Sequence, residues 1–179
     1  MLPLNPVNPN NTIIRTMNKL NTEILKILNE DSRTAADRIA VMLGREPGVV
    51  KAAILDMERS GIIVKYNLLV NDDKLGDGKV MAWIEVKVTP QKSLGFDSIA
   101  EEIYQFPEVK DLYLMSGGFD LAVLVEGKSL KEVAMFVSEK LSAMNTVTGT
   151  ATHFVLKKYK AGGVNIAGGE GMRRLPVHE

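Results

Sequence analysis

The sequence predicts an α+β protein of two modules. Three observations predict it. Between Leu20 and Ile63, apolar residues recur at helical spacing in three short runs separated by turn residues. From Val80 onward, strand-like stretches of alternating character enclose two helical stretches. Between these patterns lies a polar stretch with two glycines, Asn71 to Gly78.

In the first run Leu20, Ile24, Ile27 and Leu28 share a helix face, with Leu25 beside them. Asn18 or Asn21 serves as its cap, and Asp31-Ser32-Arg33 ends it. Thr34 is expected to cap a second helix carrying Ile39, Ala40 and Leu43 inward, with Asp37 at the capping-box position. Gly44 follows the last apolar residue, where a left-handed C-cap belongs. Pro47 opens a third helix, since the first turn does not use its missing N–H. Val50, Ile54 and Met57, with Ala53 between them, form that helix's inner face, and Gly61 stops it. Ile62 to Val70 is β-rich and is expected to form a wing and a strand leading out. Three short helices followed by a wing are the layout of a winged helix-turn-helix, which presents Pro47–Ser60 to the major groove of DNA.

In the second module Val80 to Thr89 alternates, with Trp83, Glu85 and Lys87 against Ile84, Val86 and Val88. A helix is expected over Phe96–Tyr104, strands over Val109–Met115 and Asp120–Val125, a helix over Leu130–Met144 and a last strand over Val147–Tyr159. The order β-α-β-β-α-β is that of a ferredoxin-like unit. Helices cover one face of such a sheet. The β-branched and aromatic residues on its strands argue that the other face is covered too, and a second copy of the chain is the simplest cover. Trp83 is a candidate anchor there. The expected organisation is an arm over 1–16, the winged helix-turn-helix over 17–71, a linker over 72–78, the sheet domain over 79–160 and a glycine-rich tail over 161–179.

The bulk numbers bound the function. Lys and Arg total 22, Asp and Glu total 22, so the net charge is zero and the chain has no general attraction for nucleic acid or anionic membrane. Cysteine is absent, which rules out disulfides and thiolate metal sites. No secretory signal and no apolar run of membrane length is present, so a cytoplasmic location is expected. His153 falls on a strand and His178 in the tail, neither with an acid at metal-ligand spacing, so no catalytic residue, metal or cofactor is expected.

Three motifs carry a family resemblance. Met17-Asn18-Lys19-Leu20-Asn21-Thr22-Glu23-Ile24-Leu25 is similar to an opening of the form L-D-x-x-D-x-x-I-L, with asparagines at the two Asp positions. Glu58-Arg59-Ser60-Gly61-Ile62-Ile63 matches a closing E-x-x-G-I-I, and Ser116-Gly117-Gly118-Phe119-Asp120 matches S-G-x-[YF]-D. In this order and spacing, over residues 17–160, the chain resembles the leucine-responsive/asparagine regulators, the Lrp/AsnC transcription factors. The resemblance implies operator binding, dimers that assemble further, and a small effector such as an amino acid at a subunit interface.

On the third helix the outward positions are Gly48, Lys51, Ala52, Leu55, Asp56 and Arg59. Family members commonly carry basic residues where Ala52 and Ala53 stand. The expected DNA-contacting set is Arg33, Arg38, Arg45, Lys51, Ala52, Leu55, Arg59 and Lys65. Residues 17–71 hold eight basic and seven acidic side chains, so each copy binds weakly and with strong salt dependence, and several copies must act together. The resemblance places the effector at Ser116, Gly117, Gly118, Phe119 and Asp120. The two glycines are expected at positive φ with their N–H groups offered to a carboxylate, and Asp120 is expected to meet an ammonium group. Two competing readings remain open at this stage. One is an effector-sensing oligomer whose helix-turn-helix no longer binds DNA. The other is an enzyme of the tetrapyrrole decarboxylase type, which shares the two-module build but needs histidines and arginines around a cavity, where this chain has two histidines, one of them in the tail.

Overall fold

The computed structural model describes residues 18–76, 78–89 and 95–166. The chain divides into two compact units at Leu68/Leu69.

The first unit holds α1 (Lys19–Glu30), α2 (Ala36–Leu43) and α3 (Pro47–Arg59). Asn18 caps α1, its Oδ1 accepting from the Asn21 N–H at 2.7 Å. Thr34 does not cap α2. The N-cap is Ala35, without a side-chain bond, and the Thr34 N–H instead donates to the Asp31 carbonyl at 3.1 Å. The helix begins one residue later than the pattern suggested, so Thr34 stands just before the cap position. Gly44 stands at φ 60°, the left-handed C-cap expected of it, and Pro47 occupies the first turn of α3. The core is small: Ile24, Leu28, Ile39, Ala40, Val50 and Met57 are buried, and Leu20, Ile54 and Ile63 pack against them half-buried.

Beyond α3 the structure departs from the expected wing. Ile62 to Val70 contains no strand. The Ile62 and Ile63 N–H groups both turn back onto the Met57 carbonyl, at 2.9 and 3.0 Å. The Tyr66 hydroxyl donates to Glu58 Oε1 at 2.9 Å. High β propensity needs a partner strand to be realised, and the described residues of the unit supply none.

The second unit is built on β1 (Val80–Val88), β2 (Val109–Leu114), β3 (Leu121–Gly127) and β4 (Val147–Phe154). They form one antiparallel sheet in the order β2-β3-β1-β4, with Ile84 opposite Val123 on one side and Thr152 on the other. Short α4 (Asp72–Leu75) precedes the sheet; α5 (Asp97–Tyr104) and α6 (Leu130–Phe136) lie between strands, and α6 runs on as a π-helical turn, Val137–Leu141. The reciprocal bonds Glu132 N–H to Ser129 Oγ, 3.1 Å, and Lys128 N–H to Glu132 Oε2, 2.6 Å, start α6. Ile99, Ile103, Val133, Phe136 and Leu141 bury one sheet face together with Ala82, Ile84, Val86, Leu121, Val123 and Val125. This is the ferredoxin-like arrangement. The alternating register puts Trp83 and Glu85 on the opposite, helix-free face, where Trp83 stacks on Tyr113 at 6.0 Å and Glu85 meets His153 at 3.4 Å.

Two expected boundaries fall differently. The segment 72–78, expected as linker, contains α4 and is tied to the far end of the sheet domain: Lys158 Nζ meets Asp72 Oδ2 at 2.5 Å, and Asn71 Nδ2 donates to the Ile166 carbonyl at 3.4 Å. The tail expected from Ala161 begins as a hairpin, β5 (Lys160–Ala161) and β6 (Val164–Asn165), turning at Gly162-Gly163 with φ 52° and 81°. Two adjacent positive φ values suit glycine in a two-residue hairpin turn. The arm over 1–16 and the tail from 167 lie outside the described residues.

Candidate nucleic-acid interface and effector turn

On α3, burial of Val50 and Met57 fixes which side faces out. Gly48, Lys51, Ala52, Leu55, Asp56 and Arg59 are all exposed, as the helical spacing predicts. Val49, absent from the expected outward set, is 51% exposed. The cations differ in freedom. Lys51 Nζ lies 2.8 Å from Asp37 Oδ1, so the lysine near the middle of the face is held against α2. Arg33 folds onto the end of α1, its Nε 3.2 Å and Nη2 3.4 Å from the Asp31 carboxylate. That side-chain hydrogen bond holds the Asp31 carboxyl below its ordinary range and raises the guanidinium. Arg38, Arg45, Arg59 and Lys65 are exposed. The structure therefore puts Arg45, Lys51, Ala52, Leu55 and Arg59 on or beside α3, Arg38 on α2, Arg33 in the turn between α1 and α2, and Lys65 on the extended segment. Sequence reasoning missed the role of Asp37, because its capping-box position suggested a different partner. A pairing from one helix to the next leaves no periodic trace.

At the turn between β2 and β3, Ser116, Gly117 and Gly118 are exposed, while Phe119 and Asp120 are half-buried. Gly117 and Gly118 are not among the glycines at positive φ, which corrects the expected turn geometry. A Cβ built on either would meet nothing within 4 Å. Their selection owes nothing to crowding within one chain. Asp120 is committed to the fold: its Oδ2 accepts from the Val88 N–H at 2.9 Å, and its own N–H donates to the Val86 carbonyl at 3.1 Å. Its carboxylate thus braces the end of β1 as well as standing at the turn. A cleft of about 280 Å³ lies elsewhere, lined by Glu108, Met135, Phe136, Glu139 and Lys140 among others. Among the described residues no group of acids and histidines is placed to hold a metal ion, and no helix is long and apolar enough to cross a membrane.

A helix-turn-helix with an outward third helix, joined to a one-face-covered ferredoxin-like sheet, defines a DNA-binding regulator with a ligand-binding domain. Comparison with known proteins makes this specific. The family model for the winged helix-turn-helix DNA-binding domain matches residues 17–64, and that for the Lrp/AsnC ligand binding domain matches residues 81–164. An uncharacterized HTH-type transcriptional regulator of Bacillus subtilis, YugG, is 45% identical over 157 residues, which cover 87% of this chain and 95% of the relative. The LrpA regulator of Pyrococcus horikoshii is 31% identical, covering 76% of this chain and 94% of its own. Among solved structures, Escherichia coli AsnC superposes with a TM-score of 0.65 at 22% identity, covering 81% of this chain and 95% of that one. The Neisseria meningitidis regulator NMB0573, solved as an L-methionine complex, does so with a TM-score of 0.67 at 23% identity, covering 82% and 94%. The chain belongs to the Lrp/AsnC family of transcriptional regulators.

Proposed function

We propose that α3 enters the major groove of operator DNA, and that the sheet domain dimerises through its helix-free face and assembles further, so that several weak readers bind one stretch of DNA together. The DNA-contacting set, phosphate contacts included, is Arg33, Arg38, Arg45, Lys51, Ala52, Leu55, Arg59 and Lys65. The observation that carries this is the exposure of the whole outward face of α3 over a fully formed three-helix core. The stacked Trp83 and Tyr113, on a sheet face that no described helix of the domain covers, support self-association. An amino acid or similar small effector at Ser116–Asp120 would bias one assembly over another; the methionine bound by the Neisseria relative supports that ligand class. Because Asp120 is already bonded to Val88, the exposed backbone of Ser116 to Gly118 is the better ligand contact. The protein acts by binding, in the cytoplasm where the DNA is, and no catalytic step is assigned to it.

A second reading, a helix-turn-helix turned to protein contact, is favoured by the Lys51–Asp37 pair, which withdraws a cation from the reading face. One experiment separates the two. In a mobility-shift titration of the chain's own upstream DNA at low and moderate salt, with and without amino acids including methionine, the fragment should shift at low salt and lose the shift steeply as salt rises. Arg59→Ala should weaken it more than Lys51→Ala. Absence of any shift at low salt favours the second reading.

A further inference from the structure

The exposed face of α3 has an unusual composition for a DNA reader. Val49, Ala52 and Leu55 form an i, i+3, i+6 row along it, with Val49 51% and Leu55 49% exposed. None of the three is needed by the module's core, which is complete beneath them with Val50 and Met57 fully buried. Single exposed apolar residues need no explanation, but three in a row on the face that the fold presents do. Charge surrounds the row in a pattern that matches a groove. Arg45 precedes α3 and Arg59 ends it, so cations stand at both ends where phosphates run, and the apolar row lies between them. Lys51, which could read guanine, is turned aside to Asp37. Asp56 is an acceptor only; it suits a cytosine amino group and no phosphate. Apart from Asp56, what remains to meet base edges is hydrocarbon, and the apolar group on the floor of the major groove is the C5-methyl of thymine.

We infer that this chain reads its operator through thymine methyl groups packed against Val49, Ala52 and Leu55, with Lys51 held out of base readout by Asp37. The inference rests on the DNA-binding reading above and goes beyond it by naming what the face recognises.

The test begins with selection of binding duplexes from a random pool by the full-length protein at low salt. The selected duplex is then made again with uracil in place of thymine, which leaves base pairing unchanged and removes only the methyls. Each thymine under the row should contribute about fourfold in affinity, the worth of one buried methyl group. Leu55→Ala lies at an exposed position and should melt like the parent protein, yet the preference for thymine over uracil at the contacted site should fall towards one. Asp37→Asn should release Lys51 and raise affinity for any duplex, with a salt slope steeper by about one. Equal binding of the thymine and uracil duplexes overturns this inference and leaves DNA binding intact. Failure to enrich any duplex overturns both.

Discussion

The two modules of this protein are stabilised on different scales. Among the described residues, the reading module closes over six buried side chains drawn from three neighbouring helices, all within Ile24 to Met57. The main core cluster of the sheet domain holds fourteen among the described residues, and its central strand β1 is paired with β3 and β4, which lie some forty and seventy residues further along the chain. A small core made from local contacts offers few places where a lost side chain can be absorbed. The reading module is therefore expected to unfold first, and to fail while the sheet domain survives.

The sharpest way to break that comparison is a matched pair of core truncations. Met57→Ala and Ile84→Ala each remove a fully buried side chain, at a cost of roughly 3 kcal/mol. Met57→Ala is expected to abolish DNA binding and to reduce the helix signal to that of the sheet domain, while sedimentation still shows the parent assembly. Ile84→Ala is expected to lose both assembly and solubility. Calorimetry showing one shared transition for both variants would contradict independent modules. A smaller effect is expected at the turn between β2 and β3. Asp120→Ala leaves the Val88 N–H without its acceptor and should destabilise the sheet domain by about 2 kcal/mol, read as a lowered melting temperature with the reading module unaffected. The smallest lies at the end of β2. The Lys140 ammonium, 2.5 Å from Glu108 Oε1, holds that carboxyl below its ordinary value of 4.5 through their hydrogen bond, while burial pushes the other way. A depressed carboxyl stabilises the fold above its unfolded pKa and stops doing so as acid titrates it. The melting-temperature gap between the parent and Lys140→Met should therefore be full at neutral pH and close below about pH 4.5. Its size is at most about 1 kcal/mol, because the lysine is 39% exposed and water screens the pair.

What could be read in advance follows the same division. Helices α1 to α3, the left-handed Gly44 and Pro47 at the first turn are local features, and the spacing of apolar residues located them. So did the alternation along β1, which separates buried Ala82, Ile84 and Val86 from Trp83 and Glu85. Features that join distant residues were not legible. The bond from Val88 to Asp120 spans 32 positions, and the contact between Asp72 and Lys158 spans 86. Ile62 to Val70 misled for the converse reason: its composition asks for a strand, and pairing depends on a neighbour that no local pattern reports. At the candidate site, exposure along α3 was predictable from period alone, but the diversion of Lys51 to Asp37 was not.

The ties from Asn71 and Asp72 to Ile166 and Lys158 have one more consequence. They bring the point where the chain enters the sheet domain next to the point where it leaves the hairpin. The domain is in effect a closed loop with its doorway at one corner. A gene rearrangement that exchanged everything before Leu69 would replace the reader without cutting any strand pairing among the described residues. The seam between sensing and reading is thus also the place where the protein can most cheaply acquire a new target sequence.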